Sequence, residues 1–268
     1  MTTTLALVAA VAAALSYGIA TLLQAGAAQQ HSEASSLHVA MQPKYVAGLL
    51  LDGCGFLFTI AAVTRLPLYL VQSIVAANTA VTAGLAIVMG RSRPRRADQG
   101  AVAMLLLGLV LIALAARPSQ GRPLSTHALW ALLAFGATLT VTSVATRASG
   151  LFAAATAGAS FATVNVTARG AVWSASLAAT PTAFLTIGFG VLGSLLYTRA
   201  LQRADVVAVT ALVAAVETVV GSLAGALVLG DAARSGLPRL GAFAGVLLTV
   251  AAIAPMCRLA QPRPPVPT

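Results

Sequence analysis

The chain has 268 residues, 59% of them hydrophobic and 8% charged, with a mean hydropathy of +0.91. A soluble domain carries about 25% charged residues, so this composition excludes an ordinary soluble protein and leaves almost no room for a soluble domain. The net charge of +10 does not point to nucleic acid, because the arginines stand at the ends of apolar runs and make no basic face interleaved with aromatics.

The pattern predicts an all-α, polytopic integral membrane protein with about nine transmembrane helices. A helix rises about 1.5 Å per residue and the hydrocarbon core is about 30 Å thick, so each span needs roughly twenty apolar residues. Thr4 to Gln29 is the first span, too long for a signal-peptide core and lacking a basic n-region. Tyr17, Thr21 and Gln24 fall on one of its stripes. Gln30 to Pro43 reads as a polar connector in which His31, Glu33 and His38 are solvated loop residues. Lys44 to Thr64 is the second span and carries Asp52, with Gly48, Gly55 and Thr59 on the same face.

Arg65-Leu66-Pro67 makes a tight turn, and Pro67 suits the first turn of the third span, Leu68 to Gly90. Gln72, Ala76, Thr79 and Ala83 share one side of that span and Asn78 lies on another. The basic cluster Arg91 to Arg96 closes it. Ala97 to Ala116 is the fourth span, nearly free of polar side chains, and a Pro/Gly loop to Ser125 marks the midpoint of the chain. His127 to Thr146 is the fifth span. Gly150 to Thr167 is the sixth, where Thr156, Ser160, Thr163 and Thr167 form the clearest polar stripe in the sequence. Hydroxyls can bond their own backbone carbonyls, so this stripe is open to two readings, cavity lining or helix contact. Pro181 to Thr198 is the seventh span, with Thr186, Gly190, Gly193 and Tyr197 on one face. The tail Gln261 to Thr268 is Pro-rich and is expected to be disordered. Cys54 and Cys257 make neither a metal-ligand spacing nor a disulfide framework, and small apolar packing is their expected role.

The eighth span, Val206 to Gly230, is twenty-five residues broken by one charge, Glu217, which falls near the membrane midplane. An ionised side chain there costs about 2.5–3.5 kcal/mol on insertion scales and usually faces a bundle interior or a cavity. Thr210, Ala214, Gly221 and Ala224 share its face. Gly221 and Gly225 form a GxxxG step, as do Gly241 and Gly245 in the ninth span, Leu240 to Met256; such steps let helices approach closely. With the N-terminus outside, ten basic residues fall on inner loops and six on outer ones, and the Arg91–Arg96 cluster is inside.

The two halves, 1–120 with about four helices and 121–260 with about five, echo each other. "RLPLYLVQSIVAANTAVTAGLAIVMGR" (Arg65 to Arg91) parallels "RADVVAVTALVAAVETVVGSLAGALVLGD" (Arg203 to Asp231). The echo maps the third span onto the eighth. A shift of five helices is odd, so the copies enter the membrane from opposite sides, as in the inverted repeats of secondary transporters. At these residues the sequence resembles the drug/metabolite transporter superfamily, the EamA-like proteins. The resemblance is best over Leu151 to Arg258, and Gly90-Arg91 departs from the Gly-Glu common in the family. The nine-span layout and "LSYGIATLLQAGAAQQ" look like the magnesium-transporter-like, NIPA-type branch.

The resemblance implies a carrier of the bacterial cytoplasmic membrane that works by alternating access on a small solute, or alternatively on a divalent cation. No Walker A, HExxH or Ser-His-Asp set competes, so no enzyme activity and no cofactor are expected. A non-transporting membrane scaffold or subunit is the alternative of another class. Its partners are expected to be the lipid bilayer and its substrate, with monomer and homodimer both open. The residues expected to serve substrate or coupling ion are Glu217 first and Asp52 second, then Tyr17, Gln24, Asn78, Thr156, Ser160, Thr163 and Tyr197. A carboxyl at either acid position can pass a proton between the two sides, or can ligate a hard cation together with Thr and backbone oxygens. Asp52, placed about a third of the way along its span, is also able to snorkel to the interface.

Overall fold

The computed structural model describes residues 2–63, 74–75, 77–89, 96–115, 125–145, 149–172, 181–228 and 236–259. Among them every regular element is a helix: α1 (Thr3–Gln30), α2 (Ser36–Ala40), α3 (Pro43–Val63), α4 (Asn78–Val88), α5 (Arg96–Ala115), α6 (Thr126–Ala145), α7 (Gly150–Val172), α8 (Pro181–Arg203), α9 (Val206–Val228) and α10 (Leu237–Leu259). Eight of the nine apolar runs carry a helix of 20 residues or more, whereas in the expected third span, Leu68 to Gly90, the described helix is the 11-residue α4, preceded by a turn at Ala77. The expected tail, the Arg91–Arg95 stretch, Gln72 and the side chain of Cys257 lie outside the described residues.

The helix starts follow from local chemistry. Thr2, Ser125, Ser149 and Asp205 each turn a side-chain oxygen onto a free amide of the first turn, those of Leu5, Ala128, Phe152 and Val207. Proline opens α3 at Pro43 and α8 at Pro181, where its missing N–H would have had no partner. Among the described residues three helices, α1, α8 and α9, are long and apolar enough to cross a membrane by length and composition. Large apolar side chains cover the outside, Trp130, Phe184, Phe243 and Leu247 each being at least 65% exposed. An apolar exterior of this extent fits lipid contact.

Inside, α1 lies along α3, α7 along α8, and α5 along α10, with α9 packed on α7. Small residues set these distances. A Cβ at Gly48 would stand 2.7 Å from Gln24 and one at Gly55 would stand 3.0 Å from the Tyr17 ring, so both glycines seat α1 on α3. Gly193 receives the Phe161 ring in the same way, and Gly158 lies against the Val213 carbonyl. At the α5–α10 crossing the contact is reciprocal: a Cβ on Gly108 would meet the Gly245 carbonyl at 2.7 Å, and one on Gly245 would meet the Gly108 carbonyl at 2.6 Å.

The other expected close steps are not of this kind. Nothing lies within 4 Å of a Cβ placed at Gly241, and at Gly221 only the Ala162 methyl is near, at an ordinary 3.9 Å. The surroundings of Gly225 are outside the described ones. Cys54 is exposed and so does not pack inside the protein as expected. The connector after α1 also differs from the expected solvated loop: it folds into the short helix α2, capped by Ser35, with Val39 fully buried.

Candidate functional site: two paired carboxyls in the bundle

Glu217 stands at the centre of α9, eleven residues from Val206 and eleven from Val228. Asp52 is nine residues from Pro43 and eleven from Val63, at the middle of α3 rather than near its start. At about 1.5 Å per residue, both acids lie about 13–17 Å along their helices. Snorkelling from that depth is a poor option for a side chain as short as aspartate, and the structure gives Asp52 an internal partner instead.

Gln24 Nε2 of α1 donates to Asp52 Oδ2, and Asn165 Nδ2 of α7 donates to Glu217 Oε1 at 2.8 Å. A hydrogen bond to a charged group contributes about 1.5–3 kcal/mol, close to the cost of placing one carboxylate at mid-depth. One amide per acid is therefore enough to make each position tolerable, and losing it is not neutral. Both acids are half-buried, whereas Asn165 is exposed.

Tyrosines stand around the Asp52 pair. The Tyr17 ring packs against Gly55, three residues past Asp52 on α3, where the Thr59 hydroxyl donates to the Gly55 carbonyl at 2.9 Å. Tyr197 donates to Thr21 Oγ1 at 3.2 Å. Tyr45 and Thr198 share a 2.6 Å hydrogen bond beside the Ser194 carbonyl. The result is a polar column of hydroxyls, an amide and the Asp52 carboxyl built from α1, α3 and α8, while the Asn165–Glu217 pair joins α7 to α9.

The threonine stripe of α7 is placed differently. Thr156, Ser160 and Thr163 are buried, and each hydroxyl donates to the carbonyl four residues back, on Phe152, Thr156 and Ala159. Thr186 donates to Thr167 across the α7–α8 contact at 2.8 Å. These groups are satisfied within their own helices and bring α7 against its neighbours. Asn78 sits half-buried at the start of α4, where its side chain accepts from Thr79. It takes no described part in the acid pairs.

Three polar residues that the structure uses escaped sequence reasoning. Asn165 lies two residues past Thr163, about 200° round the helix from the stripe that dominates that span. Tyr45 and Gln202 sit at span ends, where a polar residue reads as a boundary. A separate groove of about 740 Å³ between α6 and α8, lined by Leu133, Phe184, Leu185 and Phe189 among others, is apolar and contains neither acid. Among the described residues no group of three or more His, Cys, Asp or Glu could hold a metal ion. The chain matches no family model, no curated protein and no solved structure.

Proposed function

We propose that the chain is a multi-pass carrier of the bacterial cytoplasmic membrane, built on the inverted-repeat plan of the drug/metabolite transporters, that moves a small polar solute by alternating access. The observation that carries this reading is the pair of mid-helix carboxyls, each bonded to one carboxamide of a neighbouring helix. A scaffold gains nothing from two acids at that depth, whereas a carrier needs groups there that change charge or ligand.

The packing supports the repeat. Under a shift of five spans α1, α3, α4 and α5 correspond to α7, α8, α9 and α10. The close pairs α1–α3 and α7–α8 are counterparts, as are α1–α4 and α7–α9. The α5–α10 crossing joins two counterpart helices through mutually facing glycines, as a two-fold axis through that contact requires. Gln24 and Asn165, the two amide partners, also lie on counterpart helices.

In this reading Asp52 and Glu217 take up and release the coupling ion, and the solute occupies the column. The test is flux through the purified chain in proteoliposomes, with small polar solutes and Mg²⁺ offered with and without a proton gradient. Gradient-dependent uptake of a solute is expected. Uptake of Mg²⁺ alone would move the substrate to the divalent-cation reading, and no flux of any kind would leave the scaffold reading in its place.

A further inference from the structure

The end of the bundle that holds the α8–α9 turn is closed by a structure the transport reading has not used. Residues 31–42 cross it as a strap. In its middle α2 points Val39, with no exposed surface, into the apolar cluster that contains Leu22, Tyr45, Tyr197 and Leu201. From α8, Gln202 spends all three of its bonding groups on this strap. Its Nε2 donates to the His31 and Ala34 carbonyls, each at 2.9 Å, and its Oε1 accepts from Ser36 Oγ at 3.4 Å.

A side chain that only ended a helix would have no reason to hold a connector 170 residues away by both its amide protons. Beneath the strap lies the Tyr45–Thr198 hydrogen bond and, deeper, the Tyr197–Thr21 bond and the Gln24–Asp52 pair. The column is thus shut from this end by the strap and the bonded groups beneath it. At Glu217 the situation is the reverse. Its partner Asn165 is exposed although it belongs to an apolar helix, and an exposed amide–carboxyl pair is far cheaper against a water-filled vestibule than against lipid.

We propose that residues 31–42 are the inner gate of the carrier, with Val39 as its plug and Gln202 as its latch, closed here while the Glu217 side stands open; this rests on the transport reading above. Opening requires the Gln202 bonds to part and α2 to lift, and both ends of the strap lead directly into α1 and α3, the helices that bear Gln24 and Asp52. Movement at the column and movement of the strap are therefore mechanically linked.

The test reads access without needing the substrate. In a chain with Cys54→Ala and Cys257→Ala, Thr210→Cys is placed under the strap and labelled with a membrane-impermeant methanethiosulfonate in sealed vesicles of both orientations. Adding Gln202→Ala is expected to speed labelling from the strap face roughly tenfold, equivalent to about 1.4 kcal/mol of lost latch. Joining Ser36→Cys to Gln202→Cys by a disulfide is expected to stop it, and reduction to restore it. Equal rates in the parent, the latch variant and the cross-linked chain would overturn the gate. Flux of the parent chain is measured alongside: responsive labelling without flux removes the transport reading and leaves a closing strap, whereas flux with unresponsive labelling removes the gate alone.

Discussion

Replacing Gly245 by alanine should loosen the α5–α10 crossing, and the same replacement at Gly241, one turn away on the same helix, should not. At Gly245 the new methyl would meet the Gly108 carbonyl at 2.6 Å, the Ile112 side chain at 2.8 Å and the Ile112 amide at 3.0 Å. Two of the three are backbone atoms, so neither can swing aside, and the helices must part by roughly 0.8 Å to reach ordinary contact. Separations of about 0.5–1 Å forfeit a quarter to a half of the dispersion well, and overpacking of this kind costs about 1–3 kcal/mol. Better helix propensity of alanine returns about 0.5–1 kcal/mol. The net at Gly245 is a loss of roughly 1 kcal/mol, within a span of about 0–2.5 kcal/mol. At Gly241, where nothing lies within 4 Å, only the propensity gain of about 0.5–1 kcal/mol remains. Thermal unfolding midpoints of the purified chain in one detergent, followed by loss of the monodisperse fraction, should move in opposite directions for the two variants. Equal shifts would refute the argument that this crossing is set by backbone contact.

Gln24→Leu removes a buried amide from Asp52 and leaves the half-buried carboxyl without its partner; a destabilisation of about 1–3 kcal/mol is expected, against a smaller one for Asn165→Leu, whose amide is exposed. Comparison of detergent unfolding midpoints decides the order. Gly55→Ala should push the Tyr17 ring, now 3.0 Å from the Cβ position, away from Thr59 and reduce any flux without loss of expression; unchanged flux would separate Tyr17 from function. A cysteine introduced at Ser92, which lies outside the described residues, should react with an impermeant thiol reagent only after the membrane is opened, since the basic cluster around it is expected inside. Labelling in intact cells would reverse the orientation.

Helix positions were legible because apolar runs bounded by charge or proline leave few choices. Among the described residues both ends of α1 and the starts of α3 and α6 fall within a residue of the expected ones, while α7, α8 and α10 run several residues further. Glu217 and Asp52 were legible for the same reason: a lone acid in an apolar run is costly and therefore visible. Their partners were not. Gln24 had been placed on a polar stripe, but a stripe does not tell which neighbouring helix it meets. Asn165 was hidden by a stronger threonine pattern on the other side of α7. That pattern itself misleads, because each hydroxyl can be satisfied by the turn beneath it and so needs no cavity. The strap was missed because five residues carry too little periodicity to register as a helix, and the burial of Val39 depends on α8, more than 150 residues later in the chain. GxxxG spacing was an equally local signal. Gly245 meets its partner helix, yet Gly241 on the same face does not, since crossing angle decides which glycine of a step lies at the contact.

The central claim, that Asp52 and Glu217 couple solute movement to ion movement, is tested most directly by Glu217→Gln. The substitution keeps the shape and the ability to bond Asn165 while removing the titratable group. Uptake driven by a pH gradient in proteoliposomes should fall to the level of protein-free vesicles, with folded protein recovered in normal yield. Uptake at the parental rate, with undiminished dependence on the gradient, would contradict it.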